Sequence, residues 1–180
     1  LYPFQVYGDL GGYTLMVRGV SRLFGFDIVK NFNRPFMAQT VADFWRRWHM
    51  SLINWLRDYI FIPLSFYFRS LGKKGSIIAL IITFLLSGIW HDAEVKYLIW
   101  GAFHAFLLAI ELIFFKRSFA DTSGRNNKRK ILSFAINAFV VYLLFSISQV
   151  FVRVDNMSEL KVFILNVTHF ADLFLDKTTL

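Results

Sequence analysis

In a chain without cysteine, chemistry falls first to the four histidines, His49, His91, His104 and His169. Imidazole titrates nearest neutrality, so it can take a proton from a hydroxyl and return it. Apolar burial disfavours the cation and keeps the ring neutral, ready to act as a base. His91 meets that condition better than the other three. It ends Ser87-Gly88-Ile89-Trp90-His91, at the close of residues 76–90, which carry no charge. As a helix that run is about 22 Å long at ~1.5 Å per residue, whereas the hydrocarbon core is about 30 Å thick. Either the imidazole is held inside the membrane, where ionisable groups are functional by default, or it sits at the interface.

His49 lies in Trp45-Arg46-Arg47-Trp48-His49, one position off a tryptophan stripe. It points either into an aromatic interior or, with a ring nitrogen satisfied, to the interface. His104 precedes Glu111 by seven residues and can share its helix face, the pattern of packing between helices. His169 is given no role. Neither a His-x-x-x-His nor a Glu-x-x-His pair occurs, so no zinc or di-iron site is expected. A Gly-x-Ser-x-Gly elbow, a Walker loop and a dinucleotide fingerprint are also absent from the sequence.

The elements that carry these residues are those of an all-α, polytopic integral membrane protein. Hydrophobic residues make up 56% of the 180-residue chain, with 22 phenylalanines, above the roughly 45–50% of globular domains. One membrane domain, residues 1–180, is the expectation, and both ends read as cuts through a longer protein. The net charge of +8 gathers in loops beside apolar runs, where it reports topology and not a nucleic-acid partner.

Residues 2–26 read as a helix packed through its glycines, with Gly11-Gly12 as the point where it would break. Thr40 is an N-cap with Asp43 at the third position, the logic of a capping box. Beyond it, Trp45, Trp48, Leu52, Trp55 and Tyr59 line one stripe of a single amphipathic helix. Asp43, Arg47, Asn54 and Asp58 lie opposite, with Asp43 and Arg47 spaced to pair. Such a helix is expected at a membrane interface, in contact with lipid. Pro63 is expected to close it or to kink the stretch 60–68. Apolar spans are expected at 76–90, 97–115 and 131–152, with a further segment opening within 162–175. The basic loops 69–76 and 116–130 are placed in the cytoplasm by the positive-inside rule, and the turn at 92–96 outside.

Residues 31–64, Asn-Phe-Asn-Arg-Pro-Phe-Met-Ala-Gln-Thr-Val-Ala-Asp-Phe-Trp-Arg-Arg-Trp-His-Met-Ser-Leu-Ile-Asn-Trp-Leu-Arg-Asp-Tyr-Ile-Phe-Ile-Pro-Leu, resemble the signature of the membrane-bound O-acyltransferase (MBOAT) family. They are most like its bacterial alginate O-acetyltransferase branch, itself similar to the D-alanyl transferases of teichoic acid. Ser87-Gly-Ile-Trp-His91 resembles a second block of that family. Trp100-Gly101 with His104, and Val150-Phe-Val-Arg153, resemble weaker ones. Tyr7-Gly-Asp-Leu-Gly-Gly-Tyr13 resembles an aromatic-Asp-Phe-Ser-Gly-Tyr segment, with Gly11 for the serine and Leu15 for a usual aspartate. Where the second block continues with glycine, this chain has Asp92.

The resemblance implies an MBOAT-type helical core, of which this chain is the central to C-terminal part, in a bacterial inner membrane. It places the catalytic histidine at His91 and the second histidine at His49, in a tunnel through the membrane. His91 would take the proton of a sugar hydroxyl, and His49 would orient a substrate or stabilise the oxyanion. Trp45, Trp48, Trp90, Arg46 and Asn54 are the candidate lining or binding residues. No cofactor or metal is bound on this reading. An acyl thioester, acetyl-coenzyme A or an acyl carrier, is the co-substrate. A polysaccharide is the acceptor, and accessory acyltransferase proteins outside the membrane are partners. D-alanyl transfer to a cell-wall polymer is the alternative within acyl transfer. A transporter or scaffold, with Asp9, Glu111 and the histidines lining a pathway, is the alternative outside it.

Overall fold

Where small residues fall along the apolar runs decides how the long helices meet. The computed structural model describes residues 2–114 and 128–154, with isolated positions between 158 and 166. Most of the expected segment 162–175, His169 and most of the basic loop 116–130 therefore lie outside the described residues. Among the described residues seven α-helices run in order: α1 Tyr2–Leu23, α2 Val41–Arg47, α3 Met50–Leu56, α4 Ile62–Tyr67, α5 Lys73–His91, α6 Val95–Phe114 and α7 Lys128–Arg153. No strand occurs among them.

Three of these helices are long and apolar enough to cross a membrane: α5, α6 and the Ile131–Arg153 part of α7. They match the three expected spans. Helices α5 and α6 form a tight hairpin, because Gly88 and Gly101 let the backbones touch. A Cβ at Gly88 would run into the Tyr97 carbonyl, and one at Gly101 into the Phe84 carbonyl. Small residues at such contacts are the usual route to close packing between apolar helices. Asp92 ends α5 in extended conformation, and its Oδ1 accepts from Ala93 N at 2.7 Å. The far end is tied by Lys73 Nζ, which donates to Ile113 O at 3.1 Å. At the hairpin's turn end, Lys96 Nζ reaches Val154 O at 3.4 Å and brings in the end of α7.

Helix α1 is continuous across Gly11-Gly12, which corrects the expected break. Its amides are bonded within the helix, and Gly11 faces only the ring of Phe32. A glycine without a competing cap or turn lowers helix propensity without ending the helix. Phe4 against Tyr142 and Tyr7 against Phe32, with ring centroids 5.4 and 5.0 Å apart, seat α1 on α7 and on the loop after α1.

The single amphipathic helix expected over 41–59 is also corrected. Helix α2 stops at Trp48, and α3 begins after His49, whose φ of 44° and ψ of 53° are left-handed. The stripe splits accordingly. Trp45 and Trp48 are buried at 6% and 5% exposure, whereas Trp55 and Tyr59 are exposed. After α3 the helical path does not close at Pro63, which lies inside α4. It widens into a π-helical turn, Arg57–Phe61, where Ile62 N bonds Arg57 O five residues back. The wider turn relieves the clash of a proline ring with the carbonyl four residues earlier.

Contacts at four levels define the path of this broken helix. Ala42 N donates to Glu111 Oε2 at 3.1 Å, near the far end of α6. Trp45 meets His104 midway along α6, and His49 meets Trp90 near the end of α5. Phe68 then lies against Gly75, at the start of α5. Helices α2 and α3–α4 thus form the two arms of a hairpin alongside α6 and α5, with His49 at the apex.

Candidate active site

The apex begins with a well-capped arm. Thr40 Oγ1 accepts from Asp43 N at 2.9 Å, as the capping pattern predicts, and Asp43 Oδ2 reaches back to Gln39 N at 3.4 Å. Asp43 also pairs with Arg47 at 2.9 Å, the expected one-turn partner. Glu111 satisfies the next amide. A carboxylate at a helix start is favoured both by the free N–H groups and by the helix dipole.

His49 takes a backbone conformation that is uncommon for any non-glycine residue. Left-handed backbone at a bulky residue costs about 1–3 kcal/mol and persists only where the surroundings over-determine it. Here the surroundings are the segment that starts at Asn31. Met50 N donates to Asn31 O at 2.9 Å, and Ser51 N donates to Asn31 Oδ1 at 3.1 Å. Asn33 N donates to Arg47 O at 3.0 Å on the other side of the break. Three such bonds, at about 1 kcal/mol each, offset a cost of that size. The His49 side chain makes no cap bond of its own. Its Nδ1 stands 3.5 Å from Ser51 Oγ, and burial lowers its pKa from the ordinary 6.5. The ring is therefore a neutral imidazole at physiological pH.

His49 and His91 both contact the ring of Trp90. The His49 ring lies edge-on to Trp90, with centroids 6.1 Å apart, and Trp90 is edge-on to its neighbour His91 at 4.9 Å. His91 stacks on Tyr97 at 5.8 Å and meets Trp100 edge-on at 5.1 Å. Its remaining side is exposed in the described structure. His49 and His91 thus share the Trp90 ring as a neighbour. Segments more than forty residues apart in sequence (49 and 91) are thus brought to one place by the apex of one hairpin and the end of another.

His104 sits one turn below Trp100 and is 1% exposed. Trp45, Trp100, Phe84, Phe103 and Phe145 surround it. Neither of its nitrogens, nor Nε1 of Trp45 or Trp100, has a hydrogen-bond partner among the described residues. Edge-on ring contacts at 4.9 Å from Trp45 and from Trp100 take that place, a weak substitute for N–H···O bonding. His104 and Glu111 both join α6 to α2, the interhelical packing their spacing suggests.

The candidate residues divide into three groups. His49, His91 and Trp90 come together, and Trp90 is 57% exposed. Trp45 and Trp48 lie beneath them in the core, with Trp48 packed on Phe44 and Phe145. Arg46 and Asn54 are exposed on the two arms. Sequence reasoning missed Asn31, Tyr97 and Trp100. Asn31 stood in a stretch read only as a loop, whereas the aromatic pair could have been found as the i+6 and i+9 neighbours of His91 across a short turn.

A helical core of three membrane-length apolar helices, with His49 and His91 both beside Trp90 near the end of α5, defines a polytopic membrane protein. The chain belongs to the MBOAT, membrane-bound O-acyltransferase, family, whose model matches residues 1–152. It is 38% identical over 160 residues to a Pseudomonas aeruginosa protein named "Probable alginate O-acetylase AlgI", covering 87% of this chain and 28% of that protein. A Helicobacter pylori peptidoglycan O-acetyltransferase is 35% identical over 166 residues, covering 89% and 29%. A Bacillus subtilis teichoic acid D-alanyltransferase is 39% identical over 114 residues, covering 59% and 28%. The chain thus spans under a third of the length of these relatives.

Proposed function

We propose that this chain carries the catalytic histidines of a membrane O-acyltransferase that moves an acetyl group from a thioester to hydroxyls of a polysaccharide. The observation that carries the reading is the convergence of His49 and His91 around Trp90. His91 takes the proton of the acceptor hydroxyl as its oxygen attacks the thioester carbonyl. The C–S bond then breaks, and the leaving thiolate takes that proton back from His91 to become a thiol, which restores the neutral imidazole. Neutral His49 donates a hydrogen bond to the developing oxyanion or holds the acceptor in line. Arg46 and Asn54 serve as outer binding groups, and Trp90 as a wall of the path. No metal or bound cofactor is required by these steps.

The positive-inside rule, applied to the basic loops 69–76 and 116–130, supports a cytoplasmic Lys73 end, with His91 and the 92–96 turn facing outward. A thioester from the cytoplasm and a hydroxyl from outside meet there, across a bacterial inner membrane. Accessory proteins outside the membrane would present the polymer. The match to a D-alanyltransferase supports a second reading, in which the same residues move D-alanine from a carrier thioester.

Vesicles holding the protein from its complete reading frame, supplied with acetyl-labelled acetyl-coenzyme A and a polyuronate acceptor, test the first reading. Alkali-labile label on the polymer is the expected result. Label transferred only from a D-alanyl carrier thioester supports the second reading. Consumption of neither thioester contradicts both and returns the transporter alternative.

A further inference from the structure

We propose that Asn31 is a positioning residue for His49, acting from outside the helix that His49 begins. The proposal rests on the assignment of His49 above. His49 has no side-chain cap to offer, so the first amides of α3 need acceptors from elsewhere. Asn31 supplies both, its carbonyl to Met50 N and its Oδ1 to Ser51 N. The other half of its amide is anchored as well: Nδ2 donates to Thr14 Oγ1 at 3.3 Å, while that hydroxyl donates to Leu10 O at 2.7 Å. One side chain thus fastens the apex of the hairpin to the middle of α1. Arg34, three residues further on, is the other non-glycine left-handed residue among those described. Both irregular residues flank the same bond, Asn33 N to Arg47 O.

The direction of the imidazole is set by this clamp. A side chain on left-handed backbone leaves in a direction that no helical residue takes. If the apex relaxed into continuous helix, His49 would rotate away from Trp90 and His91. Asn31 therefore touches no substrate and governs the reaction through His49 alone. Asparagine suits the task because it offers an acceptor and a donor on one short side chain. Aspartate would keep the acceptor for Ser51 N and lose the donor to Thr14.

A double-mutant cycle in the protein from its complete reading frame tests this, with acetyl-coenzyme A and a polyuronate as probes. Asn31→Ala should lower kcat by about 100-fold, the scale of a misplaced catalytic group, with KM little changed. Asn31→Asp should retain activity to within about fivefold, the loss of one neutral hydrogen bond. In a His49→Asn background, Asn31→Ala should cost nothing further. A purely structural role would instead lower activity in both backgrounds, and that result overturns the proposal. Full activity in Asn31→Ala, with activity lost in His49→Asn, overturns it too while leaving His49 in place. Full activity in His49→Asn removes the role of His49 and this proposal with it. Should Asn31→Ala fail to accumulate in membranes, Thr14→Val carries the same test, since it frees the Nδ2 anchor. Activity unchanged by Thr14→Val, with activity lost in His49→Asn, would show that the Nδ2 anchor to α1 does not hold the apex, contrary to the proposal.

Discussion

The His49 ring stands 6.1 Å from Trp90, edge-on, at the apex of a hairpin built from a stretch that reads as one helix. That relationship puts one histidine beside the residue preceding another. It depends on a backbone break whose cause lies in the Asn31 loop, and on a second hairpin whose glycines bring Tyr97 and Trp100 up to His91.

The glycine contacts make the second hairpin sensitive to single carbons. Gly88→Ala and Gly101→Ala each force a methyl into a carbonyl of the facing helix. Overpacking of this kind costs about 1–3 kcal/mol. Thermal unfolding of the detergent-solubilised protein should show both variants destabilised, although alanine favours an isolated helix over glycine. Unchanged or raised melting temperatures would mean that the α5–α6 contact is looser than described.

Glu111 holds the base of the other hairpin through the Ala42 amide. Glu111→Ala should cost about 1–2 kcal/mol, the usual penalty for a lost N-terminal cap. Glu111→Gln keeps an acceptor and should recover most of that. Equal destabilisation by the two variants would show that the charge, not the hydrogen bond, is what α2 uses.

His49 gives a pH dependence with a definite sign. Burial lowers its pKa below the ordinary 6.5, so in the folded state it resists a proton that the unfolded chain accepts. Between the lowered value and 6.5 the unfolded state binds more protons, and stability falls as pH falls. Melting temperature should therefore drop on acidification below about pH 6.5. His49→Asn, which tolerates left-handed backbone, should lessen the drop. An identical pH profile in the variant would assign the effect to other groups.

Much of this could be read from the residues. Thr40, Asp43 and Arg47 announced their own contacts, because capping and one-turn pairing are local. The three spans were legible because a bilayer is the main setting that calls for so long an uninterrupted apolar run. The break at His49 was not legible. No glycine or proline marks it, and the groups that stabilise it, Asn31 and Asn33, come from another segment. The unbroken α1 reflects the converse, since Gly11-Gly12 looked like a stop but nothing there competes for the helix amides. The meeting of His49 with Trp90 needed both hairpins, and neither is encoded within a single segment.

Whether His91 is the base is decided by comparing His91→Ala with the unaltered protein, both made from the complete reading frame. Ester formation on the acceptor polymer is followed alongside the amount of protein inserted in the membrane. Loss of a general base lowers rates by about 10²–10⁴-fold. A loss of that size, with insertion unchanged, is the expected result. Normal acylation by His91→Ala would contradict it.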